Sequence, residues 1–153
     1  MFQTKNNGRK FVGFIRLYES DLTNYNPISG SFAVIKCKGK YLLCYNVWRN
    51  QWEIPAGNRE GNETPMECAI RELYEETGQR VKTMEFLGLL KSKDLQDGLI
   101  IYNPVYFSTI LELQPFREND EISKIQLWDL KEEIGPIDEV DIHIISFLGG
   151  EEF

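Results

Sequence analysis

The chain has 153 residues, of which 42% are hydrophobic and 27% charged, and its formal net charge is −7. Length and composition fit one domain of ordinary size, residues 1–153, and exclude disordered and fibrous classes. The acidic balance argues against a nucleic-acid polymer as partner, where affinity rests on Lys and Arg neutralising phosphates. A small phosphorylated ligand stays open, because a bound divalent cation reverses the local sign.

Residues 1–30 read as an N-terminal extension of strand and loop, with a candidate strand over 11–18 and an Asn-, Pro- and Gly-bearing loop over 24–30. Segments 31–38 and 41–47 are rich in β-forming residues and flank the turn Gly39-Lys40, which predicts a hairpin. A short extended piece, 52–55, leads into a glycine-bearing loop over 57–62. Thr64-Pro65 then has the form of a helix N-cap with proline at the first helical position, and Glu67 stands at capping-box spacing. This predicts a helix over 65–77 that stops at Gly78, a residue suited to the left-handed terminal position. Strands are expected over 84–90, 99–102, 105–113 and 125–130, and a closing helix over 138–148. Interleaved strands and helices imply an α/β class, with a mixed sheet and helices on both faces.

Cys37, Cys44 and Cys68 are odd in number and form no CxxC pair, so a disulfide framework or zinc knuckle is not expected. Each reads as a small core residue. The polar stretch 1–11 is not followed by the apolar run of a signal peptide, and no run reaches the ~20 residues of a membrane helix. A cytoplasmic protein without a membrane partner is the expectation.

Set at 100° intervals, Met66, Ala69, Ile70, Leu73 and Thr77 form one helical stripe suited to packing on a sheet. Glu72, Glu75 and Glu76 fall on a neighbouring stripe. Like charges at these spacings repel, and carboxylates near the helix C-terminus oppose its dipole. A cation would relieve both costs, and carboxylate oxygens are the hard ligands that Mg2+ and Mn2+ prefer. Three such glutamates taken alone favour the simpler reading, a solvated acidic face.

The wider pattern decides between these. Gly57, Glu63, Arg71-Glu72-Leu73, Glu75-Glu76 and Gly78 stand at the spacings of a Nudix box over 57–79, with Gln79 where an aliphatic residue is usual. The chain therefore resembles the Nudix hydrolase superfamily, MutT-like members included. The resemblance implies an α/β/α sandwich with a loop–helix–loop box, and divalent-metal-dependent hydrolysis of a phosphoanhydride in a nucleoside diphosphate derivative. It implies that Glu72, Glu75, Glu76 and the Gly57 carbonyl hold Mg2+ or Mn2+, and that Arg71 and Glu63 tie the loop to the helix. The general base is Glu72 in some members and a carboxylate of a later loop in others. Here Glu121 resembles the latter, also as a metal ligand, with Glu118 and Asp120 as competitors. Asp138 and Glu139 precede the last helix, where MutT-like members place base-reading side chains.

His143, the one histidine, sits in an apolar helical pattern and reads as structural. Trp48, Trp52 and Trp128 offer stacking surfaces, although Trp52 and Trp128 read as core or sheet edge. The expected substrate is a small nucleotide, most simply an ordinary or oxidised nucleoside triphosphate, with ADP-ribose or a nucleotide sugar as the alternative. A nucleotide-sensing module without activity and a purely structural acidic domain are the readings of another class. A homodimer is compatible with all of them.

Overall fold

The computed structural model describes residues 2–25 and 27–149. In chain order the elements are β1 Thr4–Lys5, β2 Arg9–Ile15, a 3-10 turn Glu19–Asn24, β3 Ser31–Cys37, β4 Lys40–Asn46, β5 Gln51–Glu53 and β6 Ala56–Gly57. Helix α1 Pro65–Thr77 follows, then β7 Glu85–Asp94, β8 Ile100–Ile110, β9 Ile122–Trp128, β10 Ile137–Asp138 and α2 Glu139–Gly149. The class is α/β, with one curled mixed sheet and a helix on each face. Strands run in the order β1-β10-β5-β4-β3-β8-β7-β2, while β6 pairs with β3 and β9 with β4.

The two faces follow from the period of two along a strand. On β3, Phe32 and Val34 enter one core and Ala33 and Ile35 the other. On β4, Tyr41 and Leu43 oppose Leu42 in the same way. The first core takes Val140, Ile144 and Ile145 of α2, and the second takes Ala69 and Leu73 of α1. Central strands buried on both faces lose the polar alternation of a surface strand, which is why β3 and β4 read so apolar.

Helix α1 has the bounds its caps imply. Thr64 Oγ1 accepts from the Glu67 N–H at 3.1 Å, and Glu67 Oε1 accepts from the Thr64 N–H at 2.8 Å. Such a cap is worth about 1 kcal/mol. At the other end Gly78 takes φ +83° and donates its N–H to the Tyr74 carbonyl. A Cβ there would also lie 2.4 Å from the Pro115 carbonyl oxygen, so conformation and space both require glycine.

Several strand boundaries differ from the sequence expectations. The first long strand is Arg9–Ile15, and it pairs with β7 at the sheet edge. The segments expected at 99–102 and 105–113 are one strand, β8, through Asn103-Pro104. Its parallel pairing with β3 begins at Val105, so the missing proline N–H falls where no β3 partner needs it. The last long strand starts at Ile122 and ends at Trp128, two residues before Leu130 takes a positive φ. Strands β1 and β10, two residues each, were below what periodicity detects. The expected loop 24–30 includes residue 26, which lies outside the described residues. No helix among the described residues is long and apolar enough to cross a membrane.

Candidate active site

Arg71 organises one corner of the molecule. Its Nε donates to Glu63 Oε2 at 2.5 Å, and its Nη2 to Glu63 Oε1 at 3.1 Å and to the Asn58 carbonyl at 2.8 Å. The guanidinium fork thus fastens the glycine loop to α1 and holds the Glu63 carboxyl below its ordinary range. The third nitrogen, Nη1, lies 2.7 Å from Glu72, 2.9 Å from Glu75 and 3.3 Å from Glu60. Oxygens of Glu60, Glu72 and Glu75 approach within 4.8 Å of one another. Glu60 was not foreseen, since a lone loop carboxylate gives no periodic signal.

Gly57 faces this cluster. A Cβ on it would stand 2.2 to 2.5 Å from the Glu72 carboxylate, so the side chain occupies the space that any other residue would fill. The Gly57 carbonyl accepts from the Cys68 thiol at 3.2 Å and packs against Gly30, where a Cβ would meet that oxygen at 2.2 Å.

Glu76 is turned inward. It is buried, and one oxygen accepts from the Ala56 N–H at 2.9 Å. Burial pushes its pKa up to about 9, and Glu121, Glu72 and Glu53 push in the same direction. Glu72 is raised as well, by burial first, with the Arg71 hydrogen bond opposing. These carboxylates approach one another with too little positive charge between them.

Glu121 reaches the cluster from the loop before β9. Asn46 Nδ2 donates to it at 2.8 Å and to Glu53 at 3.1 Å, while Arg49 pairs with Glu53 at 2.6 Å and lies 3.4 Å from Glu121. Its neighbours Glu118 and Asp120 are exposed around a separate surface hollow. The loop is tied back to α1 where Asn119 Nδ2 donates to the Glu76 carbonyl at 3.3 Å. Gln79, the departure from the box pattern, is fully buried. Its amide donates to the carbonyls of Thr77 and Gln114 and accepts from the Gln114 N–H at 2.7 Å, a polar clasp in place of an aliphatic contact.

Beside the box opens a cavity of about 300 Å3 whose lining includes Arg9, Glu53, Gly57, Asn103, Asp138 and Asp141. Asp138 caps α2 by accepting from the Val140 and Asp141 N–H groups, and takes a hydrogen bond from Gln51 at 2.9 Å. Glu139 is exposed outside the cavity and accepts from Asn6 at 3.2 Å. Several lining residues, Arg49 among them, were not singled out in the sequence. Glu53 stands inside the segment that leads into the box, and Asp141 is a carboxylate on an otherwise apolar helix face. Arg9 and Asn103 carried no signal, because their positions depend on strand pairing.

The other candidates are structural in their surroundings. His143 stacks on Phe11 at 4.3 Å. Trp52 and Trp128 are buried and donate to the Ile134 and Glu132 carbonyls, whereas Trp48 is 66% exposed. All three cysteines are buried and free.

The donor set suits a divalent cation. Carboxylates and a carbonyl are hard oxygen ligands, and the raised proton affinity of Glu72 and Glu76 marks sites where added positive charge stabilises the ionised form.

The chain is similar to several known proteins. The putative 8-oxo-dGTP diphosphatase YtkD of Bacillus subtilis (strain 168) is 36% identical over 83 residues, which are 54% of this chain and 51% of that protein. Human diphosphoinositol polyphosphate phosphohydrolase 2 is 31% identical over 88 residues, 57% of this chain and 47% of its own length. The chain thus spans about half the length of the curated relatives it matches. The crystal structure of the Bacillus subtilis pyrophosphohydrolase BsRppH superposes with a TM-score of 0.62 at 26% identity, over 76% of this chain and 70% of that one. A model of the NUDIX domain matches residues 27–148, and the chain belongs to the NUDIX family.

Proposed function

We propose that the protein is a divalent-metal-dependent hydrolase of phosphoanhydride bonds that converts a nucleoside triphosphate, ordinary or oxidised, to the monophosphate and pyrophosphate. In this reading Glu72, Glu75, Glu76, Glu121 and the Gly57 carbonyl hold Mg2+ or Mn2+. The bound cation would neutralise phosphate charge and lower the pKa of a bound water. Arg71 fixes the Glu72 and Glu75 carboxylates and, through Glu63 and the Asn58 carbonyl, the loop that faces them. Glu72 or Glu121 accepts the proton of the attacking water as its oxygen bonds to phosphorus and the bridging P–O bond breaks. Asn46 and Arg49 position Glu121 for either task.

The observation that carries this reading is the close approach of the Glu72 carboxylate to Gly57, in the same corner as buried Glu76. A surface acidic helix has no reason to bury a carboxylate or to press one against a backbone that only glycine can supply. The printed name of the 36% identical relative, a diphosphatase of an oxidised nucleoside triphosphate, supports the same substrate class. The test is a panel of 8-oxo-dGTP, ordinary nucleoside triphosphates, ADP-ribose, UDP-sugars and dinucleoside polyphosphates, with Mg2+ or Mn2+ and identification of products. Monophosphate and pyrophosphate from a triphosphate are expected. Cleavage confined to ADP-ribose or UDP-sugars would move the assignment to that class.

A further inference from the structure

We propose that residues 4–15 form a clasp that positions the site from outside the box, with Asn7 and Arg9 as its positioning residues. The family match covers 27–148, so the clasp lies outside it. The inference rests on the hydrolase reading above, in which Glu121 and the Gly57 carbonyl help to hold the cation.

Strands β1 and β2 are the two ends of an order of eight strands, yet only residues 6–8 separate them in the chain. Laid flat, such an order would span about 33 Å at the usual strand spacing. Residues 5 to 9 reach about 14 Å at most when fully extended. The sheet is therefore curled until its two edges meet, and this segment joins them. Gly8 makes the turn at φ +83° and donates its N–H to Asn6 Oδ1 at 2.7 Å. Asn7 and Arg9, on either side of Gly8, both line the cavity beside the box.

Each of these two side chains fixes the sense of one buried amide. An amide has a donating end and an accepting end of nearly the same shape, so its partners decide which way it points. Gln51 is fully buried, and its Nε2 donates to Glu53 Oε2 at 2.6 Å and to Asp138 Oδ2 at 2.9 Å. Reversed, it would set a carbonyl oxygen against two carboxylates. Asn7 Nδ2 donates to Gln51 Oε1, with a longer contact to Asp138 at 3.3 Å, and so holds the amide in the favourable sense. Arg9 does the same for Asn103. A guanidinium only donates, so its bond of 2.7 Å claims Asn103 Oδ1 and leaves Nδ2 to donate to the Gly30 carbonyl at 2.7 Å. Ser92 Oγ holds the arginine in place, accepting from Nε at 3.1 Å.

The two arms end on different parts of the site. Glu53 accepts from Asn46 and Arg49, and these same two side chains reach Glu121. Lys5 adds a hydrogen bond to the Arg49 carbonyl. On the other arm, Gly30 packs against the Gly57 carbonyl oxygen. The clasp thus reaches Glu121 and Gly57, the two ligand positions that α1 does not supply. Closing the sheet would need only the backbone pairing that β1 and β2 already make with β10 and β7. It gives no reason for two side chains to be aimed at buried amides.

The test uses Asn7→Ala, Arg9→Met and Arg9→Lys in the full chain. In EDTA, 15N–1H spectra should show the side-chain NH2 signal of Gln51 displaced in Asn7→Ala and that of Asn103 displaced in Arg9→Met. Titration with Mn2+, followed by electron paramagnetic resonance, should show about tenfold weaker binding in both variants, the scale for a group that orients a metal ligand. Turnover of GTP should lose kcat with KM little changed. Arg9→Lys keeps one donor for Asn103 and should recover most of the Mn2+ affinity. Asn7 is exposed, so its variant decides the matter even where Arg9→Met fails to fold. Amide signals that stay in place overturn the clasp, and so does a lowered Tm with Mn2+ affinity and kcat unchanged, which marks a purely structural segment. Displaced amide signals in a protein whose wild type binds no Mn2+ overturn the hydrolase reading and leave the pinning of the amides standing.

Discussion

The box and the cavity beside it are assembled in opposite ways. The box is local: Gly57, Glu63, Arg71, Glu72, Glu75 and Glu76 are close in sequence, and helical spacing alone brings most of them together. The opposite side is built by long-range convergence of Arg9 from an edge strand, Asn103 from the middle of the sheet and Asp138 and Asp141 from the last helix. The family match was therefore legible in a short motif, while the lining of the cavity is written in the tertiary structure.

The largest effect is expected on the box side. Glu76→Gln and Glu75→Gln should each reduce metal-dependent turnover by more than the about 100-fold that loss of a supporting residue costs, read from initial rates at saturating Mn2+. Wild-type-like turnover in both variants would break the reading of the box as the metal site.

Next comes the fastening of the loop. Arg71→Ala removes the positive charge shared by Glu60, Glu63, Glu72 and Glu75 and should cost about 3 kcal/mol in urea unfolding without metal, as for a broken partly buried pair. Added Mn2+ should restore more stability to this variant than to the wild type. Gly30→Ala sharpens the same point, because its Cβ would strike the Gly57 carbonyl oxygen, which is backbone and cannot swing aside. A loss of about 1–3 kcal/mol is expected. Gly57→Ala meets only the end of the Glu72 side chain and should lower activity more than stability.

The pH dependence is smaller and joins the two sides. Glu76, raised to about 9, and Asp141, raised by burial, both keep protons in the folded state that the unfolded chain releases near pH 4 to 5. The unfolded state then binds fewer protons, so stability falls as pH rises between those limits. Thermal unfolding in EDTA should show a Tm that declines from pH 5 to pH 9. Glu76→Gln and Asp141→Asn should each flatten part of that slope, and a divalent cation should flatten the Glu76 part alone. The smallest effect is expected at Trp48, whose side chain is exposed. Its change to Ala should alter stability by less than about 0.5 kcal/mol and KM by less than twofold.

These contrasts also explain what could be read in the sequence. Helix α1 was readable to the residue because Thr64, Pro65, Glu67 and Gly78 are local signals for its two ends. The hairpin of β3 and β4 was readable from its turn. Strand β8 was read as two, because Asn103-Pro104 looks like a break unless the register with β3 is known. Glu76 was readable as one of a charged triad, but its burial was not, since that depends on Ala56 lying across the helix. The positions of Arg9 and Asp141 depend on β2 lying beside β7 and α2 packing on the sheet, which no spacing within the chain records.

The central claim is that the box directs water to a pyrophosphate bond. Its most direct test is hydrolysis of GTP in 18O-labelled water with Mg2+ or Mn2+, followed by mass analysis of the products. The account predicts GMP and pyrophosphate in equal amounts, one 18O in one of them, and no reaction in EDTA. Intact GTP in every metal condition, or GDP and orthophosphate as products, would contradict it.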